Sequence, residues 1–348
     1  MNLSFRAAAL SVESPGSNEH RFLAWIACCL GLTALLGFAS LLVGTSSIAA
    51  SWHWLLSPDV QSAIVLWQIR LPRTVGAWCV GALLGLCGAT TQGLFRNSLA
   101  EPYLLGTASG AALGVAIYMV SLDSMIGELA WLGNLGLTGA ASIGAGLATA
   151  LTIALSRGVL QTASLLLGGI VVGFVLGALT SLILLTKPEL WRAMQMFMLG
   201  STGFLSGSSA VLLGGVLCLC LVPTIVLSRG LDALTLGEHT AQSLGLSLPM
   251  LRLTLLGVVS LGTATAVGQA GRVAFVGLMA PHLVRETLSV NHRQLLITAP
   301  LCGGALLQAA DLLSRWIIRP AELPVGAVTA CVGGAYLALL LWRRNRDE

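Results

Sequence analysis

Ten runs of apolar residues follow one another along the chain, at roughly 22–43, 72–95, 103–121, 135–156, 160–186, 206–228, 249–269, 273–289, 294–316 and 324–342. The connections between them are too short to hold a folded domain. About 20 apolar residues cross the hydrocarbon core of a bilayer as a helix, because a helix satisfies every backbone N–H and C=O within its own segment. The runs therefore predict an all-α integral membrane protein of ten transmembrane helices, with boundaries loose by a few residues. The third and eighth are the shortest, close to the lower limit of about 17 residues for a crossing. Charged residues make up only 9% of the chain, against about 25% in a soluble domain, which leaves no room for a large soluble unit.

Residues 1–20, ending in "SPGSNEHR", are polar and expected to be irregular, with 21–348 forming one membrane domain. No small-residue cleavage site follows the first run, so it reads as a retained span and not as a signal peptide. An even number of spans puts both termini on one side. With both termini cytoplasmic, eleven of the 18 Lys and Arg residues fall inside and seven outside, and the tail "WRRNR" is an inside anchor. The net charge of +4 is scattered over span ends, which argues against nucleic-acid binding. Cys28, Cys29, Cys79, Cys87, Cys218, Cys220, Cys302 and Cys331 all lie in apolar runs without zinc-ligand spacing, and read as small packing residues.

Glycines recur at small-xxx-small spacing, as Gly81 and Gly85, then Gly106, Gly110 and Gly114, then Gly169, Gly173 and Gly177. Such rows let helix backbones approach closely in lipid. The last row also suits a helix lining a passage. Two weak internal matches relate the halves: "LAEPYLL" (99–105) to "LMAPHLV" (278–284), and "RLPR" (70–73) to "SLPM" (247–250). With ten spans they favour two weakly similar five-helix halves of inverted topology, an arrangement common among transporters.

No energy-converting chemistry is visible in the chain. Its single lysine, Lys187, precedes Pro188 in an outside loop and cannot serve a phosphate-binding P-loop. HExxH and GxSxG are absent, and the five histidines lie far apart in sequence. A proton-coupled carrier working alone would need an ionisable group near the membrane midplane. Asp311 is the best candidate, although Arg315 stands four residues on, the spacing of an ion pair on one helix face. Glu101, Glu286 and Glu322 sit at span ends.

One polar stretch, "TLGEHTAQSLGLSLP" (235–249), interrupts the apolar runs. Thr235 and Glu238 have capping-box spacing, Gly245 is placed to end a helix at positive φ, and Pro249 suits the first turn of the next one. The stretch is read as a separate helix of about nine residues, too short to span. Ala241 and Leu244 are its candidate apolar contacts with the groove of a soluble partner. On the other face, Arg70 and Arg73 stand one turn apart before the second span, with Arg315 and Arg319 at the outer end of the ninth. Their guanidinium forks suit carboxylates of another protein or lipid phosphates.

Four stretches resemble the FecCD family of permease subunits of ABC importers for iron siderophores, haem and vitamin B12. They are "WQIRLPRTVGAWCVGALLGLCGATTQGLFRNSLAEPYLLGTASGA" (67–111), "LGEHTAQSLGLSL" (236–248), "GRVAFVGLMAPHLVR" (271–285) and "AELPVGAVTACVGGAYLALL" (321–340). The resemblance implies a homodimer in the bacterial inner membrane, a path along the dimer axis, a periplasmic binding protein outside and two cytoplasmic ATPase subunits that use the ATP and Mg. It implies that this chain binds no cofactor itself. It makes the polar stretch a coupling helix within about 232–246, with Leu236, Gly237, Glu238, Ala241, Leu244 and Gly245 as its contact residues. It assigns Arg70, Arg73 and Arg315 to the binding protein, Asp311 bracing Arg315, and makes the fifth span, with Gly169, Gly173 and Gly177, a pathway-lining helix.

One departure from the family pattern is Ser98, where a proline is usual, and this predicts a looser turn after the second span. Met194, Met196 and Met198 near the outer mouth read as packing residues and not as iron ligands. Among substrates of the family's range, haem or a ferric siderophore ranks above cobalamin.

Overall fold

The computed structural model describes residues 15–43, 63–123, 133–156, 162–318 and 321–347. The described residues are mostly helical, joined by turns and short irregular segments. The order is α1 (Pro15–Leu42), α2 (Leu71–Phe95), α3 (Thr107–Asp123), α4 (Gly133–Leu155), α5 (Thr162–Thr186), α6 (Trp191–Leu199) and α7 (Gly207–Val226). It continues through α8 (Ser228–Thr235), α9 (Glu238–Ser243), α10 (Leu248–Ala270), α11 (Val276–Thr287), α12 (His292–Trp316) and α13 (Val325–Asp347). A π-helical turn, Val65–Arg70, leads into α2, and a short 3-10 helix, Pro102–Leu105, precedes α3.

Seven helices among the described residues are long and apolar enough to cross a membrane, and two shorter apolar helices, Thr107–Ser121 and Val325–Leu340, accompany them. The ten runs of the sequence all find a helix, with two corrections. The first helix starts at Pro15, so it takes in the end of the polar stretch expected to be irregular; residues 1–14 lie outside the described residues. The eighth run yields only the 12-residue α11, about 18 Å long and too short for a core of about 30 Å.

The missing half of that crossing is the non-helical segment Gly271–Phe275, and every element around it accounts for its backbone. Arg272 donates its N–H to the Phe197 carbonyl at 3.0 Å, the Tyr103 hydroxyl donates to the Val273 carbonyl at 2.9 Å, and the Phe275 N–H donates to Glu101 Oε1 at 3.2 Å. Irregular backbone survives within a membrane protein only when enclosed and paired in this way. Phe275 itself takes φ 66°, a left-handed conformation uncommon for an aromatic residue. Its Cβ occupies the space that a side chain on Gly333 of α13 would need.

Packing follows the small-residue rows. Gly81 and Gly85 of α2 lie against Ala299 and Gly303 of α12, and Gly110 and Gly114 of α3 against Ala140 and Gly144 of α4, so closely that a Cβ at any of these glycines would strike the facing carbonyl or its neighbours. Close approach of backbones is the main attraction available between helices in lipid. Gly303→Val will therefore destabilise the bundle by about 1–3 kcal/mol, the usual cost of overpacking. The check is a lower unfolding midpoint in detergent; an unchanged midpoint would show that α2 and α12 can separate without loss.

The helix contacts fall into matched sets. α2 packs on α12 as α10 packs on α4; α3 on α4 as α11 on α12; α3 on α10 as α11 on α2; and α2 meets α10 at the centre. This is the pattern of two five-helix halves, α1–α5 and α7 with α10–α13. The symmetry is incomplete, since α1 packs on α12. Of the two sequence matches, Leu71-Pro72 and Leu248-Pro249 do open equivalent helices. The other pairs a 3-10 turn at Pro102–Leu105 with the interior of α11, so equal residues there take different local structures.

Candidate docking and coupling sites

α2, 25 residues or about 37 Å long, carries Arg73 near one end and is followed by Arg96 at the other. These two arginines mark the two sites.

At the Arg73 end the sequence expects outward-facing arginines, and the structure turns them inward. Asp311 on α12 is 1% exposed and accepts from both Arg73, at 3.0 Å, and Arg315, at 2.7 Å. Thr202 donates its hydroxyl to the same carboxylate. Arg73 also meets Glu322 at 2.9 Å, on the segment before α13. Arg315 caps the end of α1 by donating to the carbonyls of Ser40, at 3.1 Å, and Val43, at 2.8 Å, and Arg70 donates to the Leu41 carbonyl at 2.6 Å. Arg70 is 7% and Arg315 5% exposed. All three candidate docking residues are thus brought together as expected, but as a buried network that ties α1, α2, α12 and Glu322 into one block. The i,i+4 pair of Asp311 and Arg315 is present as its spacing implied. Arg319 lies outside the described residues.

At the other end the polar stretch forms one separate short helix, as expected, but α9 spans six residues and not about nine, and a further helix, α8, runs up to the first residue of the stretch. α8 ends at Thr235, and the Thr235 hydroxyl donates back to the Asp232 carbonyl at 2.6 Å. The capping box is therefore absent: the N-cap of α9 is Gly237 at φ 109°, a conformation that threonine would resist. Glu238 does not reach back to the backbone; it pairs with Arg252 of α10 at 2.8 Å and with Arg96 at 3.5 Å. The C-terminal signal is as read. Gly245 takes φ 82°, with Leu246 N–H donating to the Ala241 carbonyl and Gly245 N–H to that of Gln242, the paired bonds of a Schellman cap. Pro249 lies in the first turn of α10.

The apolar surface of this hairpin also differs from expectation. Ala241 is fully buried against its own chain, whereas Leu236 is 68% and Leu244 64% exposed. Leu236 and Leu244 are the apolar groups free to enter a groove. The turn before it, 96–99, is tight despite Ser98: the Asn97 side chain accepts from Leu99 N–H at 2.9 Å, and Ala100 N–H donates to the Asn97 carbonyl at 3.1 Å.

Within α5 the glycine face does not look outward. A Cβ on Gly169 would collide with the Leu104 carbonyl, and Gly173 lies over Gly106 and Ser109, so both serve packing inside the chain; only Gly177 has open space. The outward face of α5 is instead Leu167, Phe174, Leu182 and Leu185, each more than half exposed. Met194 is buried in an apolar cluster with Ala111, Val115 and Ala264, in keeping with a packing role.

Sequence reasoning missed the partners of Glu238, the pair between His292 and Asp232 at 2.7 Å, and Glu322 as a ligand of Arg73. Arg252 gave a signal, being a charge one turn inside an apolar run.

Residues 32–343 match the FecCD transport family. The chain is 34% identical over 321 residues to the hemin transport system permease protein HmuU of Yersinia pestis, covering 91% of this chain and 95% of that one. It is 34% identical over 331 residues to the vitamin B12 import system permease protein BtuC of Escherichia coli O127:H6, covering 92% and 96%. It is 37% identical over 295 residues to YvrB of Bacillus subtilis, an uncharacterized ABC transporter permease protein, covering 83% and 82%. A solved structure described as an inward-facing conformation of a metal-chelate type ABC transporter matches with a TM-score of 0.78 at 27% identity, over 92% of this chain and 99% of that one.

Proposed function

The chain belongs to the FecCD transport family, and on that premise we propose that it is the membrane permease of an ATP-driven importer that carries a large metal chelate, haem or a ferric siderophore, into the cytoplasm. It is a multi-pass transport subunit, and ATP hydrolysis belongs to a separate ATPase. The observation that carries the mechanism is α9: a short helix capped at Gly245, flanked by exposed Leu236 and Leu244 and anchored through Glu238 to Arg252 inside α10. A push on α9 by two cytoplasmic ATPase subunits reaches the bundle core through that ion pair, because α10 packs on α2, α4 and α7. Both termini are then cytoplasmic, in a bacterial inner membrane.

The second copy of the chain packs against the apolar outward face of α5, and the path runs between the copies. The exposure of Phe174, at 77%, supports this, since a homodimer would cover it. A periplasmic binding protein docks over the Arg73 end. Its acidic groups compete with the 37%-exposed Glu322 for Arg73, while Asp311 keeps Arg73 and Arg315 aimed. The hemin relative supports a haem-type substrate; vitamin B12, named for a relative of equal identity, is the alternative.

The test is reconstitution into proteoliposomes. Uptake is expected only with binding protein, ATPase and ATP together. Uptake by this chain alone, driven by a proton gradient, would instead make it a secondary carrier centred on Asp311. Charge reversal at Arg73 should weaken binding-protein docking about tenfold or more, read by surface-immobilised binding; unchanged affinity would remove that role.

A further inference from the structure

Beside α9 lies a pocket of about 310 Å³ whose walls come from four separated parts of the chain. Gln92 and Arg96 enter from the end of α2, Ser98 from the following turn, Thr235 from the end of α8, Arg285 from the end of α11 and His292 from the start of α12.

Its charges do not balance from within. Arg285 is half-buried and donates to the neutral amide oxygen of Gln92, and among the described residues no carboxylate pairs with it. Arg96 has one acid, Glu238 at 3.5 Å, but that carboxylate is held closer by Arg252 at 2.8 Å. His292 uses Nδ1 on Asp232 at 2.7 Å, which occupies that acid. Glu286, next to Arg285, is turned to His282 and Tyr336. Two guanidinium groups and an imidazole therefore share a cavity in which each nearby carboxylate is already taken. Arg285 is half-buried and Arg96 exposed; a half-buried guanidinium group is costly to leave without an anion, and both can take carboxylates or phosphates in bidentate geometry.

We propose that this pocket is a second docking point for the ATPase subunit, receiving an acidic side chain from it next to the groove that takes α9. The inference rests on the importer reading above. Two features favour the ATPase over a lipid headgroup. The pocket is continuous with α9, since Arg96 lines one and binds the other through Glu238. It also sits at the end of α2, the most enclosed of the long helices, 89% of whose apolar window is buried, and so lies away from the lipid-facing perimeter. A two-point attachment, apolar at Leu236 and Leu244 and ionic at Arg96 and Arg285, fixes orientation as well as contact.

Ser98 is exposed at the rim and its side chain makes no hydrogen bond, so Ser98→Asp adds a negative charge without removing a contact. Arg285→Gln removes a positive one. With full-length permease in nanodiscs and its ATPase partner, each variant should weaken association about tenfold at low salt and flatten its salt dependence. Leu244→Asp serves as the control on α9. If Leu244→Asp abolishes association while Ser98→Asp and Arg285→Gln leave affinity and salt dependence unchanged, the pocket proposal is overturned and the importer reading stands. If Leu244→Asp also has no effect, the importer reading itself fails. If inorganic phosphate binds the permease alone, Ser98→Asp abolishes that binding and ATPase affinity is kept, the pocket is a small-anion site and the proposal is overturned.

Discussion

Asp311→Ala will lower the stability of the fold by about 3–5 kcal/mol, the range for breaking a buried ion pair by removing one partner. The carboxylate is 1% exposed and accepts from Arg73 and Arg315 at 3.0 and 2.7 Å. Without it the two guanidinium groups face each other, with Glu322 and the Thr202 hydroxyl left to Arg73. Arg315 would also lose the brace that holds it on the carbonyls of Ser40 and Val43, so α1 should loosen from α12. Unfolding in detergent is the measurement. Replacing both partners, as Asp311→Leu with Arg315→Met, should recover part of the loss, because the isolated charge and not the lost attraction is the main penalty. An unchanged midpoint for Asp311→Ala would mean that water already reaches the cluster and compensates it.

Leu244→Asp will leave the permease folded and reduce ATP-driven transport about 30-fold or more, the scale of a hot-spot residue worth roughly 2 kcal/mol or above. Leu244 is 64% exposed, so a carboxylate there costs the free chain nothing in burial but cannot enter an apolar groove. Ala241→Asp separates the two effects. Its side chain is fully buried and must break the contact of α9 with its own chain, so its unfolding midpoint should fall as well as transport. Loss of transport in both variants with loss of stability only in Ala241→Asp is the expected pair of results. Equal transport by Leu244→Asp and the parent chain would remove α9 as the coupling element.

Much of the fold was legible because its signals are local. Apolar runs of crossing length mark helices whatever surrounds them, Pro249 marks a helix start, and Gly245 marks a helix end through its access to positive φ. Spacing of small residues in α2 and α3 also read correctly as packing, since close approach needs only the absence of side chains at the contact. At α5 the same spacing carried two readings, packing and the lining of a passage, because a glycine row can face either a neighbouring backbone or open space, and nothing in the row says which. Gly169 and Gly173 face residues 104–109.

The capping box at Thr235 failed for a related reason. Thr235 and Glu238 satisfy the spacing, but α8 continues up to Thr235 and occupies its hydroxyl, and Arg252 offers Glu238 a charged partner that a backbone N–H cannot match. Depth was also hidden: the eighth run has the length of a crossing, yet its first three residues, 273–275, belong to a non-helical segment whose backbone is paired with Phe197, Tyr103 and Glu101.

From the sequence alone came the all-α membrane class, the ten helical segments, the resemblance to a transport family and the separation of a polar hairpin from the arginines at the opposite end. These follow from hydropathy and from residues acting within a few positions of themselves. Only the tertiary structure decided which way each charge points. Arg73 is 238 residues from Asp311, and Arg285 is 193 from Gln92. An arginine at a span end can bind a partner protein, a lipid or its own chain, and the choice depends on which acid the fold carries to it. Asp311 is brought to Arg73 and Arg315, and among the described residues no acid is brought to Arg285.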